Sequence, residues 1–402
     1  MDMKEVVIVS GVRTPIGSYG GSLKNMSAID MGALVVAEAV KRANISPKEV
    51  DEVIVGQVGQ IAENGFIARA VSLKAGLPDT TTAYSINRQC GSGLQAIADA
   101  VMEIQTGFAE VVVASGTENI SQLPYYVKEA RWGARMGHKS FEDGVIDILT
   151  WPLGPYHNGT TAENVAREYN VSRKEQDAFA LRSQQRAEHA VATGVFKDEI
   201  LPIEFKDRKG NVTVFDTDEG FRKGIQIEQL QKLRPCFAQD EKATVTPGNS
   251  STLNDGAAAV VLMSLDKAKA LGLKPIMKVD GYAVAGLSDH IMGYAPKLSS
   301  EQLADKLNID LKEIDMFELN EAFASQAIAV ARDLELDMEK VNIYGGGISL
   351  GHPIGATGCI LAVKVLYEFL HSNKQSAMIS MCIGGGQGIS MHFTKCDEAE
   401  VL

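Results

Sequence analysis

The sequence predicts an α/β protein of layered architecture, and three features carry that prediction. Short strand-like runs alternate with longer helical ones over the first third of the chain. The order strand, glycine loop, helix, strand then returns in the last third. Between the two lies a charged stretch without that rhythm, which reads as an insertion.

Residues 6–9 (Val-Val-Ile-Val) make an apolar run of strand length. Residues 28–43 read as a helix ending near Asn44 and Pro47, and residues 53–55 as a second strand. Leu94, Ile97, Ala98, Val101 and Met102 recur at i, i+3, i+4, i+7 and i+8, one face of an amphipathic helix that stops at Gly107. Residues 110–114 return as a buried strand. From about 120 to 248 the pattern changes. Trp151-Pro152-Leu153-Gly154-Pro155 precedes a long polar helix over roughly 161–192, and a charged segment holds Lys206, Asp207, Arg208, Lys209, Asp216, Asp218 and Glu219. Residues 276–279 then resemble the opening strand and residues 316–320 the second. Residues 349–369 form a glycine-rich loop feeding an apolar helix, and residues 377–382 a strand. The order appears once around Cys90 and once around His352, which indicates an internal duplication. Packed together, related halves would bring Cys90 and His352 to equivalent loops at one interface. The expected domains are 1–120, completed by about 249–270, an inserted 121–248, and 271–402.

A length of 402 residues suits two or three domains with sizeable cores. The formal net charge of −12 disfavours general binding to nucleic acid or anionic membrane. No apolar run is long enough to span a bilayer. The five cysteines (Cys90, Cys236, Cys359, Cys382, Cys396) are irregularly spaced without a CxxC pair, which argues against a metal site or a disulfide framework and for a reducing compartment. The N-terminus shows no secretory pattern and Glu400-Val401-Leu402 no peroxisomal address, so a cytoplasmic location is expected.

Four segments carry candidate chemistry. Cys90 lies in Asn87-Arg88-Gln89-Cys90-Gly91-Ser92-Gly93, directly before the amphipathic helix. A helix N-terminus favours the thiolate and should lower the thiol's pKa, and its N–H groups can bind an oxyanion. The competing reading is a buried structural cysteine. His352 stands among six glycines and a proline in residues 345–358; neither GxGxxG nor GxxxxGK[ST] fits this loop, which weakens a nucleotide-binding reading. Cys382 opens Cys382-Ile383-Gly384-Gly385-Gly386-Gln387-Gly388, followed by the alternation Ile389, Met391, Phe393 of a strand. It either ends a core strand or supplies a second thiol for proton transfer. Asn320 begins Asn320-Glu321-Ala322-Phe323-Ala324, where a helix cap is the plain alternative.

Taken together these segments resemble the thiolase family. The match runs through NRQCGSG around Cys90, GTTAEN from Gly159, GNSSTLNDGAA from Gly248, NEAFA from Asn320, GHPIGATG from Gly351 and CIGGGQG from Cys382, in order and over essentially the whole chain. The resemblance implies duplicated βαβαβαββ halves in a five-layer α/β/α/β/α core with an inserted loop domain. It implies that Cys90 is the acylated nucleophile, His352 its base and part of an oxyanion hole, Cys382 the general acid and base, and Asn320 the holder of a water in that hole. The backbone N–H groups of Cys90 and Gly384 would form a second hole. By motif position Leu149, His157, Arg222, Ser251 and Phe323 would contact substrate or coenzyme A, with Arg222 and Lys223 a basic spot for phosphate. Acetyl-CoA, acetoacetyl-CoA and coenzyme A would be substrates and products, no cofactor or metal would be bound permanently, and the protein would be a homodimer or homotetramer.

The implied reaction condenses two acetyl-CoA molecules, or runs in reverse as thiolysis. His157 favours the short-chain members. Asn158 stands where they carry methionine, Thr252 where glycine is common, and Arg88-Gln89 resembles degradative members, whereas Gly91 resembles biosynthetic ones. The alternatives are a degradative 3-ketoacyl-CoA thiolase of broader chain length and a non-catalytic acyl-CoA or lipid carrier.

Overall fold

The computed structural model describes residues 3–154 and 156–397; Pro155 and the terminal Glu400-Val401-Leu402, both read above, lie outside the described residues. The first half runs β1 (Val6–Arg13), α1 (Ala28–Arg42), β2 (Glu52–Gly56), α2 (Ile67–Lys74), β3 (Thr82–Ile86), α3 (Ser92–Thr106) and β4 (Val111–Asn119). Residues 120–253 follow, with helices α4 (Asn158–Glu168) and α5 (Arg173–Thr193), before β5 (Asn254–Ser264) returns to the first sheet between β1 and β4. The second half runs β6 (Met277–Gly286), α6 (Ala295–Leu307), β7 (Met316–Leu319), α7 (Ala324–Asp333), α8 (Thr357–His371), β8 (Ser376–Ile383) and β9 (Gln387–Lys395).

The expected duplication is present. The first sheet has the order β1-β5-β4-β2-β3 and the second the order β6-β9-β8-β7. Where the first half has β3, the second has one parallel bridge from Val341 to Phe317. Even an irregularity repeats: β1 shifts register against β5 at Val9, and β6 shifts against β9 at Asp280. The halves join edge to edge through Val7–Lys278 and Ile8–Met277.

Period-two alternation places the layers. In β4, Val111 and Val113 pack outward with Val35 and Val36 of α1, whereas Val112 and Ala114 pack inward with Leu94 and Ile97 of α3. In the second sheet, Phe317 and Met378 pack outward with Leu303 of α6 and Val330 of α7, whereas Met316 and Ile379 face the central cluster. Five layers result: α1/α2, sheet, α3/α8, sheet, α6/α7. Helix α8 is apolar on nearly every side because it lies between sheets. Its buried Lys364 is held by Glu318 at 2.8 Å.

The central helices meet through glycines at their N-terminal ends. A Cβ on Gly358 would fall 2.1 Å from the Leu94 nitrogen, and one on Gly93 would fall 2.9 Å from the Cys359 nitrogen. No side chain fits there, so backbone packs on backbone.

The single polar helix expected over 161–192 is two helices. The chain turns at Asn170 with φ 53°, and Ser172 starts α5 by a capping box with Glu175. The break lets both α4 and α5 pack on α7. The inserted residues are anchored to β1 by buried Arg13, which donates to Glu199 at 2.7 Å and to both oxygens of Asp218 at 2.7 and 3.0 Å. The two carboxylates hold this guanidinium's pKa above its ordinary value despite burial.

Arg13→Met would leave two buried carboxylates without their cation. We expect a loss of about 3–5 kcal/mol in urea unfolding, partly restored when Glu199→Gln and Asp218→Asn are added.

Candidate active site

The turn before α3 is built to present Cys90. Asn87 Oδ1 accepts from the Gln89 N–H at 3.0 Å, and the Ser92 hydroxyl donates to the Gln89 carbonyl at 2.6 Å. These contacts hold Gln89 at φ 46°, a left-handed conformation that costs a non-glycine residue roughly 1–2 kcal/mol. Cys90 follows, buried, two residues before the helix begins.

His352 arrives from the other half at the corresponding place before α8. Its N–H donates to Asn254 Oδ1 at 2.9 Å. Its Nδ1 lies 2.6 Å from Thr357 Oγ1, and that hydroxyl donates to the Pro353 carbonyl at 2.9 Å. The hydroxyl proton is thereby committed, so Thr357 accepts and Nδ1 carries the imidazole hydrogen. The Nε2 lone pair is left as the basic site, with Asn320 Nδ2 at 3.4 Å. Burial lowers the His352 pKa to about 4, so the imidazole is neutral at physiological pH.

Cys90 departs from the sequence expectation. Its backbone surroundings do favour thiolate: the N–H groups of Gly384 and of Cys90 itself lower the thiol's pKa. Burial outweighs them, and the thiol is pushed up to about 11. The resting pair is therefore neutral thiol and neutral imidazole. Charge would separate only as the sulfur attacks and Nε2 takes its proton, which suits general-base activation rather than a preformed ion pair.

Cys382 is the penultimate residue of β8 and is fully buried. Burial raises its pKa, and nearby Cys90 reinforces the rise. It packs with Met292, Ala322 and Phe323. The next residues form the hairpin turn to β9, where Gly385 and Gly386 take φ 86° and 87°, and the Gly384 N–H favours the Cys90 thiolate.

Cys90 and His352 share a cavity of about 240 Å³ with Leu149, His157, Asn158, Ser251 and Phe323. The inserted residues supply much of its wall. Buried Glu163 accepts from the Thr244 and Val245 N–H groups, and the Ser251 N–H donates to the Ala322 carbonyl at 2.9 Å. His157 stacks on Phe237 with centroids 5.0 Å apart, and Phe237 meets Phe323 edge-on at 6.0 Å. Arg222 and Lys223 are exposed, and neither lines this cavity. Asn320 stands behind His352, with its Oδ1 buried and without a protein partner. Thr357 escaped the sequence reading. Its signal was there, a hydroxyl residue five positions after His352 in the turn entering α8.

Comparison with known proteins supplies an independent line. Residues 6–266 match the family model of the thiolase N-terminal domain, and residues 273–395 that of the thiolase C-terminal domain. A probable acetyl-CoA acyltransferase of Staphylococcus aureus (strain COL) is 45% identical over 394 residues, 98% of this chain and 100% of that protein. The crystal structure of the Bacillus anthracis acetyl-CoA acetyltransferase superposes with TM-score 0.95 at 44% identity, over 98% of this chain and 99% of that one. Human mitochondrial 3-ketoacyl-CoA thiolase in complex with CoA superposes with TM-score 0.94 at 39% identity, over 98% of each chain. Among the described residues no helix is long and apolar enough to cross a membrane, and no cluster of side chains could hold a metal ion.

The Thr357 contact makes a specific claim about the imidazole. Thr357→Val keeps the shape but removes the acceptor for Nδ1–H. It should lower kcat on the order of tenfold or more and shift the His352 tautomer in ¹⁵N spectra. Thr357→Ser should behave nearly as the wild type.

Proposed function

The chain belongs to the thiolase family, and from that premise we propose that it condenses two acetyl-CoA molecules into acetoacetyl-CoA and coenzyme A, and catalyses the reverse thiolysis. One observation carries the reading. Cys90 and His352, from opposite halves of the molecule, line one cavity, and the Gly384 and Cys90 N–H groups favour negative charge on the Cys90 sulfur.

In the first half-reaction the Cys90 sulfur attacks the thioester carbonyl while His352 Nε2 accepts the thiol proton. The carbonyl oxygen gains charge and is stabilised by the N–H groups of Cys90 and Gly384. Collapse expels coenzyme A, which takes its proton from the Cys382 thiol, and leaves acyl-Cys90, a Cys382 thiolate and protonated His352. In the second half-reaction Cys382 removes an α-proton from acetyl-CoA. The enolate oxygen is held by protonated His352 and by a water on Asn320. The carbanion then attacks acyl-Cys90 and releases the sulfur, which takes its proton back from His352, while the α-proton stays on Cys382. Thiolysis reverses these steps. Coenzyme A is substrate and product, and nothing in the sequence of steps requires a resident cofactor.

The acetyl-CoA names of two relatives support short acyl groups. Leu149, Phe237, Met292 and Phe323 supply apolar walls. The inserted loop domain would carry the coenzyme A arm through His157 and Ser251, with Arg222 near its phosphates. A degradative enzyme of broader chain length would use the same groups. A non-catalytic carrier would need neither a base nor a second thiol beside Cys90. The same reading makes the protein a homodimer or homotetramer, and the end strand β3, paired on one side only, offers an edge to a second copy.

Purified protein should cleave acetoacetyl-CoA with coenzyme A, and Cys90→Ser should lose on the order of 10³-fold or more in kcat. A mutant with full activity would refute the acyl-cysteine route. The kcat/KM for acetoacetyl-CoA should exceed that for a medium-chain 3-ketoacyl-CoA, and the opposite order would assign the broader degradative type. Light scattering should give the mass of a dimer or tetramer.

A further inference from the structure

Glu118 lies at the C-terminal end of β4, fully buried, and no lysine, arginine or histidine among the described residues forms an ion pair with it. Its carboxylate instead accepts three backbone N–H groups. Val58 and Gly59 donate at 3.0 Å each from the loop after β2, and Gly355 donates at 2.9 Å from the loop that carries His352. The first two belong to the first half of the molecule and the third to the second half.

Both arms lead to the reacting groups. On one side, the Val58 carbonyl accepts from Asn87 Nδ2 at 3.3 Å, and Asn87 Oδ1 accepts from the Gln89 N–H at 3.0 Å, immediately before Cys90. Val58 also packs with Cys90 and Ile354. On the other side, Gly355 is three residues from His352, in the turn whose Pro353 carbonyl fixes the Thr357 hydroxyl. One carboxylate thus spans the gap between nucleophile and base. Three donors around a buried carboxyl group define a rigid point, since moving either loop away would leave buried polar groups without partners.

We propose that Glu118 is the positioning residue that sets the placement of His352 relative to Cys90 across the interface of the two halves. The inference rests on the roles proposed above for those two residues. The charge has a second effect: the Glu118 anion disfavours the Cys90 thiolate and helps keep the resting thiol protonated. Burial raises the Glu118 pKa to about 7 against the pull of its three N–H partners, and Asp255 adds to the rise.

The test uses the full chain with Glu118→Gln, Glu118→Ala, Asn87→Ala and the double variant Glu118→Gln/Asn87→Ala. Thiolysis of acetoacetyl-CoA gives kcat and KM, and mass spectrometry follows iodoacetamide labelling of Cys90 against pH. For Glu118→Gln, kcat should fall on the order of tenfold or more, with the KM for coenzyme A within about twofold of wild type. Its labelling curve should move to lower pH, because the nearby anion is gone; a merely structural role predicts no such shift. Glu118→Ala should lose more. The double variant should lose less than the product of the two single losses, because both act through one chain of contacts. Wild-type kcat and an unmoved labelling curve in a folded Glu118→Gln protein would overturn the proposal. Should that variant fail to fold, exposed Asn87 decides, and wild-type kcat in Asn87→Ala overturns it. Labelling needs no turnover. Wild-type protein inactive on acetoacetyl-CoA would therefore refute the proposed function, while the labelling shift would still decide the role of Glu118.

Discussion

The structure depends on the contact of two helix N-termini through glycine. Helices α3 and α8 fill the layer between the sheets, and at Gly93 and Gly358 their backbones touch with no room for a methyl group. A side chain at either place would push the halves apart by the width of a carbon atom or more. Interiors packed at crystal-like density transmit such a displacement rather than absorb it. Because Cys90 and His352, the nucleophile and base proposed above, each lie just before one of these helices, the same contact that closes the core brings them to one cavity.

Burial, which follows from that closure, also fixes the protonation of the site. It raises the Cys90 thiol and lowers the His352 imidazole, so both are neutral at rest. A helix N-terminus and two backbone N–H groups act in the opposite sense on Cys90 without prevailing. In the proposed reaction those donors would stabilise the negative charge that develops during attack. A site of this kind keeps its electrostatic groups for the transition state rather than spending them on a standing thiolate.

Much of this was legible in the sequence, for physical reasons. The alternation in β4 and the helical face from Leu94 to Met102 are periodic signals, and the structure places them as read. The repeat was legible because both halves must bury the same kind of helix against the same kind of sheet. Cys90, His352 and Cys382 stood out because glycines crowd them. What escaped depends on tertiary geometry. The break at Asn170 in the expected polar helix rests on one left-handed residue and a capping box. The sign of the Cys90 shift depends on depth of burial, which no local motif encodes. The ion pairs of Arg13 with Glu199 and Asp218 join residues whose proximity only the fold creates, whereas the Thr357 contact is local, five positions from His352.

Strand β5 sits between β1 and β4, yet 134 residues separate its start at Asn254 from the end of β4 at Asn119 (254 − 119 = 135, less one). On the ribosome, therefore, the first sheet is made with a slot in its middle. Both flanking strands present open hydrogen-bonding edges until the missing strand emerges, a wait of roughly 7–27 s at ~5–20 residues per second. Buried apolar faces on β1 and β4 are exposed to other nascent chains for that interval. The first half cannot be completed before the insertion has been synthesised, so closure of the first sheet is timed by the chain's longest detour.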